Sequence, residues 1–397
     1  MTNSETKNFS QNVSSSYHLG GECSDECKKY SLNVPKLRFK GYNEEWKQNK
    51  LGNLFEIKAG GDIDNKKLSK NKNEQYKYPV YANALQNNGL YGYSDIYKIS
   101  GETITVTGRG DVGHAIARKE NYYPIVRLLI LKPIVKQDVD FWANAINNTK
   151  IFVESTGVPQ LTAPQLAKIK IYYPSSLPEQ EKIAAFLTLI DKKIEKQKEL
   201  VELLKKYKRG LLSQIFSQKL RFKDDNGNYY PNWEEKRLEE ILKIKHGKSQ
   251  KEIECTNGKY PILATSGKIG KTNAYLWDKP CVLIGRKGTI DKPQYMDTPF
   301  WTVDTLFYSE VFKENNAKYL YYLFYTINWK KYDESTGVPS LSAKSIERIK
   351  VTLSIDYSEQ LIISKILSTF DNKIQQEKCI LNYLQTYKKG LLQQMFI

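Results

Sequence analysis

Two long stretches of the chain carry apolar residues in alternating steps of four and three. In the first, Ile183, Leu187, Ile190, Ile194, Val201, Leu204, Leu211 and Ile215 follow the pattern, and Gln197 and Lys208 occupy its two remaining positions. In the second the pattern falls on Ile363, Leu367, Phe370, Ile374, Leu381, Leu384, Leu391 and Met395, with Glu377 and Lys388 as the polar exceptions at the equivalent places. A sustained 3.5-residue repeat predicts a coiled-coil seam. The stretches open on "SSLPEQ" and "DYSEQ", with proline or serine in the first turn and acids that suit the positive end of a helix dipole. Each helix of about 38 residues would be ~57 Å long at 1.5 Å per residue. The most economical partners are each other, packed antiparallel, which would relate two halves of the chain by an approximate two-fold axis. Dimerisation between chains is the competing arrangement.

The segments ahead of the two helices are patterned differently. Over residues 35–177 and 218–356, short β-rich runs such as "ETITVTGRG", "IVRLLILKPIV", "PCVLIGRKG" and "TLFYSEVF" are punctuated by Gly, Pro, Asn and Asp. Helical stretches are expected near "DFWANAINNTKIFVES" and "NAKYLYYLFYTINWKKYDES". The predicted fold class is therefore mixed α/β, of the α+β kind. It divides into a polar flexible tail (1–33), a first domain (34–177), a central helix (178–217), a second domain (218–356) and a distal helix (357–397).

The two halves are copies. "ESTGVP" occurs at 154–159 and again at 334–339. A shift of 180 residues aligns 154–216 with 334–396 without a gap, and 26 of the 63 positions are identical. Upstream the likeness is weaker: "PKLRFKGYNEEW" resembles "QKLRFKDDNGNYYPNW", and "LGNLFEIKAGG" resembles "LEEILKIKHGK". Each half thus has a divergent front and a well-matched back.

Charge narrows the partners. Lys and Arg number 61 against 44 Asp and Glu, a formal charge of +17, which favours a polyanion, nucleic acid first. No run of 18 apolar residues exists, so a membrane span is not expected, and the first 30 residues lack the apolar core of a signal peptide. Five cysteines suggest no disulfide framework. Cys23 and Cys27 have no second Cys/His pair near enough to complete a zinc site, and a reducing cytoplasm is the expected compartment.

The candidate chemistry is recognition. Each front domain has a glycine-arginine turn after a predicted strand: Gly108-Arg109-Gly110 with Asp111, and Gly285-Arg286-Lys287-Gly288. A cation on a tight glycine turn can approach a phosphate or a guanine edge, so Arg109, Arg286 and Lys287 are the first candidates for DNA contact. Thr156, Gly157, Thr336 and Gly337 on the repeated turn come next. That turn either faces DNA or orients the segment leading into the helix. "GKIGKT" at 267–272 fails as a phosphate-binding loop, because Thr265 stands where the first glycine is required. His18, His114 and His246 form no recognisable pairing with a nucleophile, no base-methylation motif or cofactor loop is present, and Asp62 and Asp64 read as loop residues. No catalytic residue, metal or cofactor is expected in this chain.

A variable domain, an "STGVP-x-L" segment and a long helix ending in "Y-K-[RK]-G-L-L-x-Q-[IM]-F", all repeated, resemble the specificity subunit of type I restriction–modification systems. The resemblance covers nearly everything after residue 34, and "FWTVDTLFY" at 300–308 also looks like a family feature. The first domain has "PIVRLLIL" where the second has "FWTVDTLFY", which puts their strand-for-strand equivalence in question. The resemblance implies two target recognition domains, each reading one half of a bipartite site in double-stranded DNA. It implies helices that set the gap and dock two modification (methyltransferase) subunits, which use S-adenosylmethionine, with ATP- and Mg2+-dependent restriction subunits joining them. A specificity subunit of a type II system that cuts on both sides of its site, or a diverged methyltransferase or nuclease, are the alternatives.

Overall fold

The computed structural model describes residues 33–151 and 157–397, with the backbone of Val13–Ser15. Cys23, Cys27, Thr156 and most of the expected polar tail lie outside the described residues. The chain forms two compact units, Met1–Gln197 with Ile380–Ile397, and Lys198–Cys379.

In the first unit the main strands are β1 (Lys47–Lys50), β2 (Phe55–Ala59), β3 (Tyr78–Tyr81), β4 (Leu90–Ser94), β5 (Thr103–Thr107), β6 (Ala115–Arg118), β7 (Tyr123–Pro124), β8 (Leu128–Pro133) and β9 (Lys170–Tyr173), with short further strands at Leu37–Phe39 and Leu68–Ser69. Its main helices are α1 (Val139–Asn148), α2 (Ala163–Ala167) and the start of α3 (Leu177–Phe216), with a single helical turn over Leu51–Leu54. An antiparallel sheet runs β2-β8-β5-β6, and a smaller one contains β7-β3-β4, with β7 parallel to β3. β1 and β9 pair antiparallel and bring the front of the domain back to the helix.

The second unit repeats this order. Its strands are β10 (Glu234–Arg237), β11 (Leu242–Lys245), β12 (Tyr260–Ala264), β13 (Gly267–Thr272), β14 (Cys281–Gly285), β15 (Gln294–Met296), β16 (Trp301–Thr302), β17 (Leu306–Val311) and β18 (Lys350–Leu353). The helices are α4 (Ala317–Phe324), α5 (Ala343–Glu347) and α6 (Tyr357–Met395). The larger sheet is β11-β17-β14-β15 and the smaller β13-β12-β16, with β16 parallel to β12. The doubt over "PIVRLLIL" is therefore resolved: Leu128 opposes Thr107 as Leu306 opposes Gly285, so the two runs occupy one place in one topology.

The expected seams are present. Every position of both 3.5-residue patterns is buried or half-buried. In the first unit Ile183, Ala184 and Leu187 of α3 join Leu391, Met395 and Phe396 in the core around Trp46, Phe141 and Trp142. In the second, Ile215 of α3 joins Ile363 and Leu367 of α6 around Trp233, Tyr319 and Trp329. In each unit the early turns of one helix thus meet the late turns of the other, the antiparallel sense expected. The domain helices are shorter than their patterns suggest. α1 ends at Asn148 with Thr149 as its cap, and after α4 the chain forms a separate short turn over Trp329–Tyr332. Among the described residues no helix is long and apolar enough to cross a membrane.

Candidate nucleic-acid interface

The central strand of each larger sheet delivers a glycine turn. β5 runs into Gly108-Arg109-Gly110, and β14 into Arg286-Lys287-Gly288. Gly110 and Gly288 have φ of +75° and +82°, a left-handed backbone that glycine adopts without a Cβ penalty. The repeated turn closes over each. Gly110 N donates to Pro159 O at 3.0 Å and Leu161 N to Gly108 O at 2.8 Å; Gly288 N donates to Pro339 O at 2.8 Å and Leu341 N to Arg286 O at 2.9 Å. Arg109 is thereby the bridge partner of Gln160, and Lys287 that of Ser340.

This register revises the pairing suggested by the letters. Arg109 corresponds to Lys287, and Arg286 takes the place of Gly108. The opposite flank agrees, since Gly108 N donates to Arg127 O at 3.1 Å and Arg286 N to Thr305 O at 2.8 Å. Lys287 is exposed and Arg109 half-buried. Arg286 lies lower, its Nη1 3.4 Å from Asp304 O.

The two turns are braced differently. In the first domain the Asn83 carboxamide accepts from Gly108 N at 2.6 Å and Arg109 N at 3.1 Å, and donates to Arg109 O at 2.7 Å. Asn83 follows β3, so the smaller sheet holds the turn, a role with no sequence signal. In the second domain bracing comes from the residue just ahead of the repeated turn. Asp333 accepts from Ser335 N at 3.0 Å, Ser335 Oγ at 2.8 Å and Ser340 N at 2.9 Å. The amides of Ser340 and Ser335 hold this carboxyl below the usual carboxylate range. Beside the first turn, burial and then the Arg118 guanidinium keep His114 below its ordinary range, so it is neutral near pH 7.

Gly157, Thr336 and Gly337 are exposed, as are Val158 and Val338 at the same place in each copy. Beyond them Leu161 and Leu341 are buried, and Thr162 and Ser342 cap α2 and α5 through reciprocal hydrogen bonds. The repeated segment therefore orients the chain toward the helix, and its apex is exposed beside the cationic turn. Asp64 caps a short turn by accepting from Lys66 N, as its reading as a loop residue implied. The smaller sheets add cations that only the overall charge had signalled. Lys66, Lys67, Lys70 and Lys72 are exposed ahead of β3, and Lys268 and Lys271 on β13.

Two mixed domains, each presenting a cation-bearing turn locked to a segment that leads into a seam-forming helix, define a duplicated recognition scaffold. The chain belongs to the type I restriction modification DNA specificity domain family, whose model matches residues 43–205 and again 230–386. A Mycoplasma pneumoniae protein named as a type I specificity subunit is 34% identical over 145 residues, 36% of this chain and 39% of that protein. Another of that organism is 33% identical over 151 residues, so the chain matches less than half the length of either relative, 45% in this second case. A Mycoplasma genitalium type I specificity subunit is 23% identical over 390 residues, covering 91% of this chain and 96% of the relative. The crystal structure of a type I restriction–modification S subunit from M. genitalium shares the fold, with a TM-score of 0.68 at 22% identity over 92% of this chain and 99% of that one.

Proposed function

We propose that the chain is the DNA-reading subunit of a type I restriction–modification complex, with each domain reading one half of a bipartite site in duplex DNA. The observation that carries this reading is the equivalence of the Arg109 and Lys287 turns, held by the same backbone bonds to one repeated segment on two otherwise divergent domains. A shared frame bearing different side chains is what two readers of different half-sites require. The lysine and arginine surplus supplies the salt-dependent phosphate attraction, and base contacts supply discrimination. Thr336, Gly337 and Gly157 lie on the DNA side, with Thr156 beside them in sequence. The second half-site then binds intramolecularly, which raises its effective concentration.

The two long helices set the gap and receive two modification subunits. Leu200, Leu203 and Tyr207 on α3 and Ile380, Tyr383 and Tyr387 on α6 are exposed at equivalent places, and the Tyr383 and Tyr387 rings stack at 6.0 Å. Apolar side chains at i, i+3 and i+7 form a stripe suited to a partner helix. Methyl transfer from S-adenosylmethionine then belongs to those partners, and ATP- and Mg2+-dependent cleavage to restriction subunits. This chain works in the cytoplasm and contributes no catalytic group.

Mapping genomic methylation with and without the gene tests the reading. A two-part motif with a fixed unspecific gap should vanish on deletion. Exchange of residues 218–333 for another reader should change one half of that motif, and a change in both halves would overturn the assignment.

A further inference from the structure

The "EQ" pair that opens each long helix is not a solvated complement to the helix dipole. The side chains of Glu179 and Glu359 are 2% and 0% exposed. In the first unit Arg38 Nε and Nη2 donate to the two Glu179 oxygens at 2.7 and 2.9 Å, and Trp46 Nε1 donates to Oε1 at 3.4 Å. In the second, Trp233 Nε1 donates to Glu359 Oε2 at 2.8 Å, and Arg221 Nε stands 3.6 Å from Oε1. The neighbouring glutamines repeat as closely. Gln180 Oε1 accepts from Asp138 N at 3.1 Å while its Nε2 donates to Gln137 Oε1 at 2.9 Å and Pro174 O at 3.0 Å. Gln360 Oε1 accepts from Asn316 N at 2.7 Å while its Nε2 donates to Asn315 Oδ1 at 3.3 Å and Ser354 O at 2.8 Å. Asp138 and Asn316 are the N-caps of α1 and α4.

Each Glu-Gln pair therefore ties three parts of a domain to the first turn of the long helix: the entering segment, an indole, and the start of the domain's own helix. Burying a carboxylate is a poor route to stability, because apolar residues of the same volume often hold such a site as well or better. Apolar contact is non-directional, whereas a forked arginine–carboxylate pair and amide hydrogen bonds fix an angle. The fork belongs to the first unit alone, since Arg221 in the second directs its Nη2 to Tyr230 O and Pro231 O; the indole and glutamine hydrogen bonds are duplicated, and they are suited to orientation.

We propose that Glu179–Gln180 and Glu359–Gln360 are positioning residues that set the angle at which each reader domain leaves its helix, and so fix the gap between half-sites that the complex accepts. This rests on the bipartite reading above. One base pair of extra spacing moves a half-site by about 3.4 Å and about a tenth of a turn, which rigid joints reject and loosened joints accommodate.

The test uses the full chain with whatever subunits co-purify with it, first to select a motif from a random duplex pool. Retention is then measured on duplexes with the selected gap and with gaps one base pair shorter and longer. Wild type should lose ~10-fold or more at the altered gaps, a difference of about 1.4 kcal/mol. Glu179→Gln, Gln180→Ala and the milder Trp233→Phe, which removes only the indole N–H, should each hold within ~3-fold across the three gaps, on the same affinity scale. Their half-site preferences should stay unchanged. Wild-type gap discrimination in all three folded variants would overturn the positioning role and leave the bipartite reading standing. No two-part preference in the wild-type complex would overturn the bipartite reading and the positioning role with it.

Discussion

Lys388 Nζ of α6 lies 2.6 Å from Asp191 Oδ1 of α3. The same pair recurs in the second unit with the helices exchanged, Lys208 of α3 standing 2.5 Å from Asp371 of α6. The polar interruptions of the two seams are thus each other's counterparts, and a lysine at a seam position finds its carboxylate on the facing helix. Such a pair fixes register more than it adds stability.

The two pairs differ in one respect with a measurable consequence. Asp371 also accepts from the Tyr322 hydroxyl at 2.6 Å, and the Lys208 ammonium sits 4.9 Å from the centre of that ring. Burial first, and then the hydrogen bond to Asp371, raise the Tyr322 pKa far above the usual phenol range, so the hydroxyl remains a donor. Both lysine pairs are partly exposed and worth about 0.2–1 kcal/mol each after screening. Removing Asp371 also strands the hydroxyl of a buried tyrosine, at a further cost of about 1–3 kcal/mol. In thermal and denaturant unfolding of the full chain, Asp371→Ala should lower the midpoint clearly more than Asp191→Ala. Asp371→Asn, which keeps an acceptor for Tyr322, should fall between them. Equal losses for the two alanine variants would rule out this account.

A second prediction concerns close backbone approach. Gly60 and Gly247 follow β2 and β11, where the chain crosses β8 and β17 at their starts. A Cβ at Gly60 would come within 2.4 Å of Ile125 O, and one at Gly247 within 2.0 Å of Val303 O. Each carbonyl accepts the bond that turns the chain into its strand, Ile125 O from Leu128 N and Val303 O from Leu306 N, so Gly60→Ala and Gly247→Ala should each cost about 2–4 kcal/mol. Gly337, with nothing within 4 Å, should accept alanine with little change in unfolding midpoint. Since folding is spared there, a fall in DNA affinity for Gly337→Ala would report contact at the turn's apex.

The seam was fully legible in the sequence, because Ile183 through Ile215 obey a local period that needs no distant partner. The domain frame was legible only in outline. The letters "GR" at 108–109 and 285–286 suggest that Arg109 matches Arg286, yet the sheet register pairs Arg109 with Lys287. That register is set by hydrogen bonds to Gln160 and Ser340, each about 50 residues downstream, and sequence spacing does not encode them. The clamp at Glu179 was hidden for the same reason. An acid in a first helical turn reads as a dipole complement, and only the return of Arg38 from 141 residues upstream buries it. Asn83 carries no motif, and its bonds to the turn exist only once β3 and β5 are assembled.

The corrected register leads to the last prediction. Arg109 is half-buried and its backbone is held by Asn83, so its guanidinium stands on a rigid base suited to a fixed bidentate contact with a guanine edge. Lys287 is exposed and offers a mobile point charge, suited to phosphate. Arg109→Ala should therefore cost about 1–3 kcal/mol on the correct half-site and relax the preference at one base position. Lys287→Ala should weaken binding evenly across base variants of the other half-site and reduce the salt slope by about one. Arg286→Ala should do less than Lys287→Ala, because Arg286 occupies the base of the turn and its guanidinium is directed toward Asp304 O. Titrations of base-substituted duplexes at several salt concentrations separate these outcomes. If Arg286→Ala had the larger effect, the pairing by letters would describe the interface better than the pairing by hydrogen bonds.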